Sequence, residues 1–334
     1  MFYRMIEKLG KRIWEDKIYL GCLLGLILLF QIKLPFYVNA PGGVIDTTNR
    51  IEYADKVSYQ GSLNMLYVTE YVASIPFYLL SYVIPDWDLE KIEDSQISTN
   101  ESVEEINTRN KVMLNNSIHN AIYVAYQASG KEVEIENMRY VVVGVTKENG
   151  LMVGDEVLSI DGEKIDGLEK IKSVIEKKEI GDQVFLKVKR GEKEKKVTLT
   201  IQEEEGKKVL GVVILTNCDL KMNPEISLKF RASEGGSSGG LMMALSIYSA
   251  ISGKDILKGR NIAGTGTIDM EGNVGEIGGI KYKIIGAVKN KMDVILVPVA
   301  NYEEAMKVKK EKKYSVEIKA VRTFEEAVDY LLAS

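Results

Sequence analysis

Two serines, Ser237 and Ser238, stand among glycines in "EGGSSGG" (Glu234 to Gly240), and the chain then runs into the apolar "LMMALSIYSAI". A hydroxyl is a weak nucleophile until a neighbouring base takes its proton. Gly236-Ser237-Ser238-Gly239-Gly240 satisfies G-x-S-x-G, in which glycines let the backbone turn sharply and present a serine at the start of a helix. That pattern calls for a histidine after the serine. The chain has one histidine, His119, which lies more than a hundred residues before the serines on a stretch patterned as an amphipathic helix. A His-before-Ser order belongs to all-β enzymes, whereas this serine leads into a helical segment. A phosphate-cradling loop is a second reading, but no lysine follows as G-x-x-x-x-G-K-[ST] requires. A tight turn in which glycines merely permit close packing is the third.

A second glycine cluster supplies another base. "GTGTIDMEGNVGEIGGIKYKIIGAVK" (Gly264 to Lys289) passes from a turn-rich hairpin into a helix with Lys281 and Lys283 in its first turns. Burial lowers a lysine pKa from about 10.4 by as much as 3 to 5 units. A neutral lysine can then deprotonate a serine, so no histidine is needed.

The elements that must position these groups fall into blocks. The 334 residues suffice for two or three domains, and 45% hydrophobic content for ordinary cores. Net charge is −4 without a large basic block, so no nucleic-acid partner is expected. Cys22 and Cys218 have no CxxC partner, so neither a disulfide framework nor a metal site is expected. "IYLGCLLGLILLFQI" (Ile18 to Ile32), carried through Lys33 into "LPFYV", approaches the roughly 20 residues that span a bilayer. Residues 1–17 hold five Lys/Arg against two in residues 33–50. The expectation is an uncleaved single-pass anchor at 18–38, with a cytoplasmic tail at 1–17 and everything else outside the cell membrane. A connector region follows over 39–130. It ends in a helix, "MLNNSIHNAIYVAYQASG", that stops at Gly130 and carries His119.

From about Glu132 short β-rich runs ("RYVVVGV", "DEVLSIDG", "QVFLKVKRG", "KVTLTI") surround one helical stretch. "GLMVGDEVLSIDGEKI" resembles a PDZ domain of the bacterial protease-associated kind, over residues 131–204. The resemblance implies that an extended peptide is taken up as an added strand.

"GSSGG" and "GGIKYK", with the connecting "IAGTGTIDMEGNVGEIGGIK" and the later "VILVPVAN", resemble the proteolytic domain of the Lon family over residues 206–334. Lon enzymes carry a catalytic serine in Gly-Pro-Ser-Ala-Gly and a catalytic lysine two residues beyond Gly-Gly-Leu-Lys. The resemblance therefore implies Ser238 as nucleophile and Lys283 as base, supported by Thr265, Gly236, Ser237 and Gly239. Thr265 matches a threonine that lies beside the lysine in Lon. Ser237 and Gly239 depart from the family's Pro and Ala, and Ser237 adds a second hydroxyl. The implied fold class is α+β: an N-terminal transmembrane helix, a PDZ-like β-domain with a helix, and a C-terminal Lon-type α+β proteolytic domain. The whole resembles the membrane-anchored PDZ-Lon-like serine proteases of Gram-positive bacteria. It implies an endopeptidase that cuts secreted peptides or small membrane proteins at the outer face. No ATP or other cofactor is expected, because the chain has no Walker A loop. Homo-oligomerisation through the protease domain is left open. The competing class is a catalytically silent surface adaptor that binds peptides through the PDZ-like domain.

Overall fold

The computed structural model of the chain describes residues 2–53, 59–95, 101–146 and 149–333. Its first part runs α1 (Phe2–Gln31), β1 (Lys33–Asp46), β2 (Ile51–Glu52), β3 (Ser62–Ser74), α2 (Ile75–Leu80), β4 (Asp88–Lys91) and α3 (Val103–Ser129). There follow β5 (Glu132–Val145), β6 (Glu156–Ile160), β7 (Glu163–Lys164), α4 (Leu168–Glu176), β8 (Gln183–Arg190), β9 (Lys193–Thr200), β10 (Gln202–Glu204), β11 (Lys207–Val209) and β12 (Val212–Asn223). The last part comprises β13 (Ser227–Leu228), α5 (Gly240–Ser252), β14 (Asn261–Gly264), β15 (Thr267–Ile268), β16 (Val274–Gly275) and α6 (Ile280–Lys289). It closes with β17 (Val294–Pro298), α7 (Tyr302–Glu311), β18 (Glu317–Val321) and α8 (Phe324–Ala333). Two compact units emerge, residues 1–41 with 69–95 and residues 42–68 with 96–334.

The first unit corrects the expected transmembrane helix. Among the described residues no helix is long and apolar enough to cross a membrane. The expected anchor extends through "LPFYV", but helix α1 ends at Gln31 and the chain is extended from Lys33. Pro35 accounts for the stop, since a proline pushes the residue before it out of the helical region and removes a backbone donor. From Lys17 to Gln31 the helix rises only about 22 Å at 1.5 Å per residue, short of a hydrocarbon core of roughly 30 Å. The side chains of residues 1–16, with four of the five N-terminal basic charges, lie outside the described residues. What α1 does meet is aromatic. Phe77 of α2 packs against Phe30, Tyr71 and Trp87 at centroid distances of 5.5, 5.5 and 6.1 Å. Edge-to-face and offset-stacked arrangements of this kind suit the ring quadrupoles.

The second unit carries both candidate domains. One sheet has the order β12-β5-β6-β8-β9, with β7 paired to β6. In β8, Val184, Leu186 and Val188 are buried while Phe185 faces out, the two-residue period of a half-buried strand. These residues pack with Val142, Ile160, Leu199 and Ile171 of α4 into one core. The antiparallel pairing of β12 with β5 runs from Val212↔Val145 to Asn223↔Glu132, so a strand from beyond residue 206 completes this sheet.

In another sheet the four neighbouring strands β18-β17-β14-β3 are all parallel. Every residue of "VILVP" in β17 is buried, as expected of a parallel strand covered on both faces. Helix α5 is buried all round from Gly240 to Ile251, and α3 packs along it. The capping box of α3 is complete: Ser102 accepts from the Glu105 amide, and the Glu105 carboxylate accepts from Ser102 N–H. Gly130, at φ +66°, ends the helix as expected. At the start of α8, Thr323 Oγ1 accepts from the Glu326 amide at 3.1 Å, and the Glu326 carboxylate accepts from the amide of Arg322 at 2.9 Å.

Candidate active site

The serine loop hangs between β13 and α5 and is held from α3. Gly236 adopts φ +86°, and its amide donates to the carbonyl of Asn110 at 2.8 Å. Ser237 and Ser238 are half-buried. The carbonyl of Ser237 accepts from the Gly240 amide at 3.2 Å and from the Ser117 hydroxyl at 3.0 Å. Gly239 is buried as the residue before α5. Gly240 is required by close approach, since a Cβ there would come within 2.7 Å of Ser117 Oγ and 3.0 Å of the backbone nitrogen of Ile268.

The lysine comes from the other side. Loop 276–279 is pinned by the buried side chain of Asn301, which accepts from the Ile277 amide at 3.0 Å and donates to its carbonyl at 2.9 Å. Helix α6 then starts after Gly279 and buries Lys283 to 3% exposure. Desolvation, which penalises the charged form, pushes its pKa from 10.5 down to about 8. Lys283 Nζ donates to Thr265 Oγ1 at 3.1 Å. That hydroxyl donates to the carbonyl of Ser238 at 3.0 Å, which also accepts from the Gly266 amide at 2.8 Å. Thr265 is fully buried, and its own amide donates to Leu296 in β17.

The fold thus brings Ser238, Lys283 and Thr265 to one place, with Gly236, Ser237 and Gly239 shaping the loop. Lys281 is half-buried and lies over the ring of Tyr282 at 5.4 Å from its centroid. His119 is engaged elsewhere, its Nδ1 2.7 Å from Oδ1 of Asn217 in β12. In the first turn of α5, the amide of Gly240 is taken by Ser237 and that of Leu241 by Gly266 at 3.1 Å. Among the described residues, the amides of Ser238 and Gly239 have no backbone acceptor. Sequence reasoning missed Ser117, Asn120 and Asn301. Asn301 sits inside the quoted "VILVPVAN", so a polar residue closing a buried apolar run was the available signal. None of these residues forms a metal-binding group of three or more His, Cys, Asp or Glu among the described residues.

Residues 231–334 match the Lon protease (S16) C-terminal proteolytic domain, and residues 130–201 match the PDZ domain family. Lon protease 2 of Borreliella burgdorferi is 34% identical over 118 residues, covering 34% of this chain and 15% of its own length. The Lon protease of Neorickettsia sennetsu is 35% identical over 101 residues, 30% of this chain and 12% of that protein. A longer alignment, 24% identical over 309 residues, joins 81% of this chain to 38% of the Lon protease of Campylobacter jejuni. The chain therefore spans well under half the length of these curated relatives. Among solved structures, the PDZ domain of the SdrC-like protein from Listeria monocytogenes is 22% identical, with a TM-score of 0.22, covering 23% of this chain and 86% of that one. Residues 231–334 are accordingly similar to the proteolytic domain of Lon serine proteases, and residues 130–201, before them in the chain, to PDZ domains.

Proposed function

We propose that this chain cleaves peptide bonds with Ser238 as nucleophile and Lys283 as its base, without ATP. The observation that carries the reading is the burial of Lys283, which brings its pKa to about 8, together with its link through Thr265 to the backbone of Ser238. A neutral lysine has two protons and one lone pair. One N–H goes to Thr265 Oγ1, which leaves the lone pair to accept the Ser238 proton as Oγ attacks the scissile carbonyl. The carbonyl oxygen gains negative charge, and the amides of Ser238 and Gly239 are the proposed donors to it; removing one such donor typically costs about 100- to 1000-fold in rate. The protonated lysine then gives its proton to the leaving amine. Water, deprotonated by the same lysine, hydrolyses the acyl-enzyme.

The proposed substrates are exposed segments of peptides or small proteins, because no motor motif in the 334 residues would unfold a folded one. The PDZ domain is proposed to deliver them as extended strands. Action near the outer face of a membrane is also proposed. It draws on the basic residues of the N-terminal stretch and the exposed Leu20, Leu24 and Leu28 of α1, and protease accessibility in intact protoplasts tests it.

A fluorophosphonate probe on the purified chain, followed by peptide mapping, tests the nucleophile. Adduct on Ser238, absent after Ser238→Ala and kept after Ser237→Ala, is the expected result. Adduct on Ser237 would move the nucleophile by one residue, and no adduct together with no cleavage of unstructured peptides would favour the silent adaptor.

A further inference from the structure

The interface of α3 with α5 is apolar at Leu114, Ala121, Val124 and Ala125, yet two polar side chains are buried among them: Ser117 at 1% exposure and Asn120 at 8%. Burying a hydroxyl or an amide is unfavourable unless it is hydrogen-bonded. Both are bonded, and to different walls of the candidate site. Ser117 Oγ donates to the carbonyl of Ser237, the residue before the nucleophile, at 3.0 Å. Asn120 Nδ2 donates to the carbonyl of Ile268 at 2.9 Å, three residues beyond Thr265. Spaced three apart on a helix, the two side chains share one face. A single turn of α3 therefore grips the serine loop with one residue and the threonine-lysine side with the next. The two walls also touch at Gly240 and Ile268, where there is no room for a Cβ.

We propose that Ser117 and Asn120 are positioning residues that fix the distance and angle between Ser238 and Lys283; the proposal rests on the Ser238–Lys283 reading. Neither residue touches the reacting atoms. Each anchors a carbonyl whose displacement would move a catalytic group, and proton transfer in a dyad is sensitive to shifts of an ångström or less. Losing either grip lowers the rate of the chemical step in molecules that are otherwise folded and able to bind substrate.

The experiment uses the purified full chain, an unstructured fluorogenic peptide, and titration of active sites with a fluorophosphonate. Ser117→Ala and Asn120→Ala are each expected to lower kcat per titrated site about tenfold with KM changed less than twofold. Asn115→Ala, at an exposed position of the same helix, is expected to match the parent. Counting per titrated site removes losses that come only from unfolding, and two separate variants cover the case in which one does not fold. An unchanged kcat per titrated site in the folded variants would overturn the proposal while leaving the dyad intact. Cleavage by Ser238→Ala equal to the parent would instead overturn the dyad reading itself.

Discussion

Lys283 reaches the serine loop through a threonine: its Nζ donates to Thr265 Oγ1 at 3.1 Å, and that hydroxyl passes the contact on to the carbonyl of Ser238. The hydroxyl both fixes the amine and ties it to the backbone of Ser238. Thr265→Val keeps the shape and removes the oxygen. It is expected to lower kcat about 100-fold, within the usual range for a misplaced general base. Because an acceptor of the ammonium is lost, the apparent pKa of the rate profile moves below about 8. Thr265→Ser retains most activity, and steady-state pH profiles of the two variants check both statements.

Burial of Lys283 also has a stability signature. Its folded pKa of about 8 lies below the ordinary 10.5, so unfolding takes up a proton between these values and stability rises with pH through that window. Below about pH 8 the burial penalty is present in full, on the order of 3 kcal/mol. Lys283→Met is therefore expected to be more stable than the parent at pH 7, with the advantage shrinking as pH approaches 10.5. Urea unfolding across pH 7 to 10.5 measures it, and a constant difference would contradict the burial argument.

Two glycines of the loop separate strain from crowding. At Gly236 a Cβ would meet open space, so Gly236→Ala carries only the positive-φ penalty of roughly 1–2 kcal/mol. At Gly240 the added methyl group meets the backbone nitrogen of Ile268 at 3.0 Å, and one wall of the site must move. Gly240→Ala is expected to lose far more activity than Gly236→Ala. Thermal unfolding read alongside kcat distinguishes the two.

The parts of this arrangement that were legible in the sequence are those carried by short local patterns. Glycines around Ser238 and before Lys283 mark places where the backbone must bend or crowd, and "LMMALSIYSAI" is apolar on every face because α5 is covered on every face. Ser117 and Asn120 were not legible. On an amphipathic helix a serine or an asparagine reads as solvent-facing, and only the tertiary approach of two carbonyls gives these residues their place. The pairing of β12 with β5 is equally non-local and has no signature in either strand. The transmembrane span breaks down for a local reason written in the sequence: its apolar residues lie on both sides of Pro35, which stops the helix.

Neutral Lys283 as the base is put to the test by a folded Lys283→Arg variant given an unstructured peptide to cleave. A guanidinium stays protonated in proteins and has no lone pair to offer. Circular dichroism matching the parent, with no cleavage above the Ser238→Ala background from pH 7 to 10, is the predicted result. A folded Lys283→Arg enzyme that cleaves at a rate near the parent's would rule out Lys283 as the base.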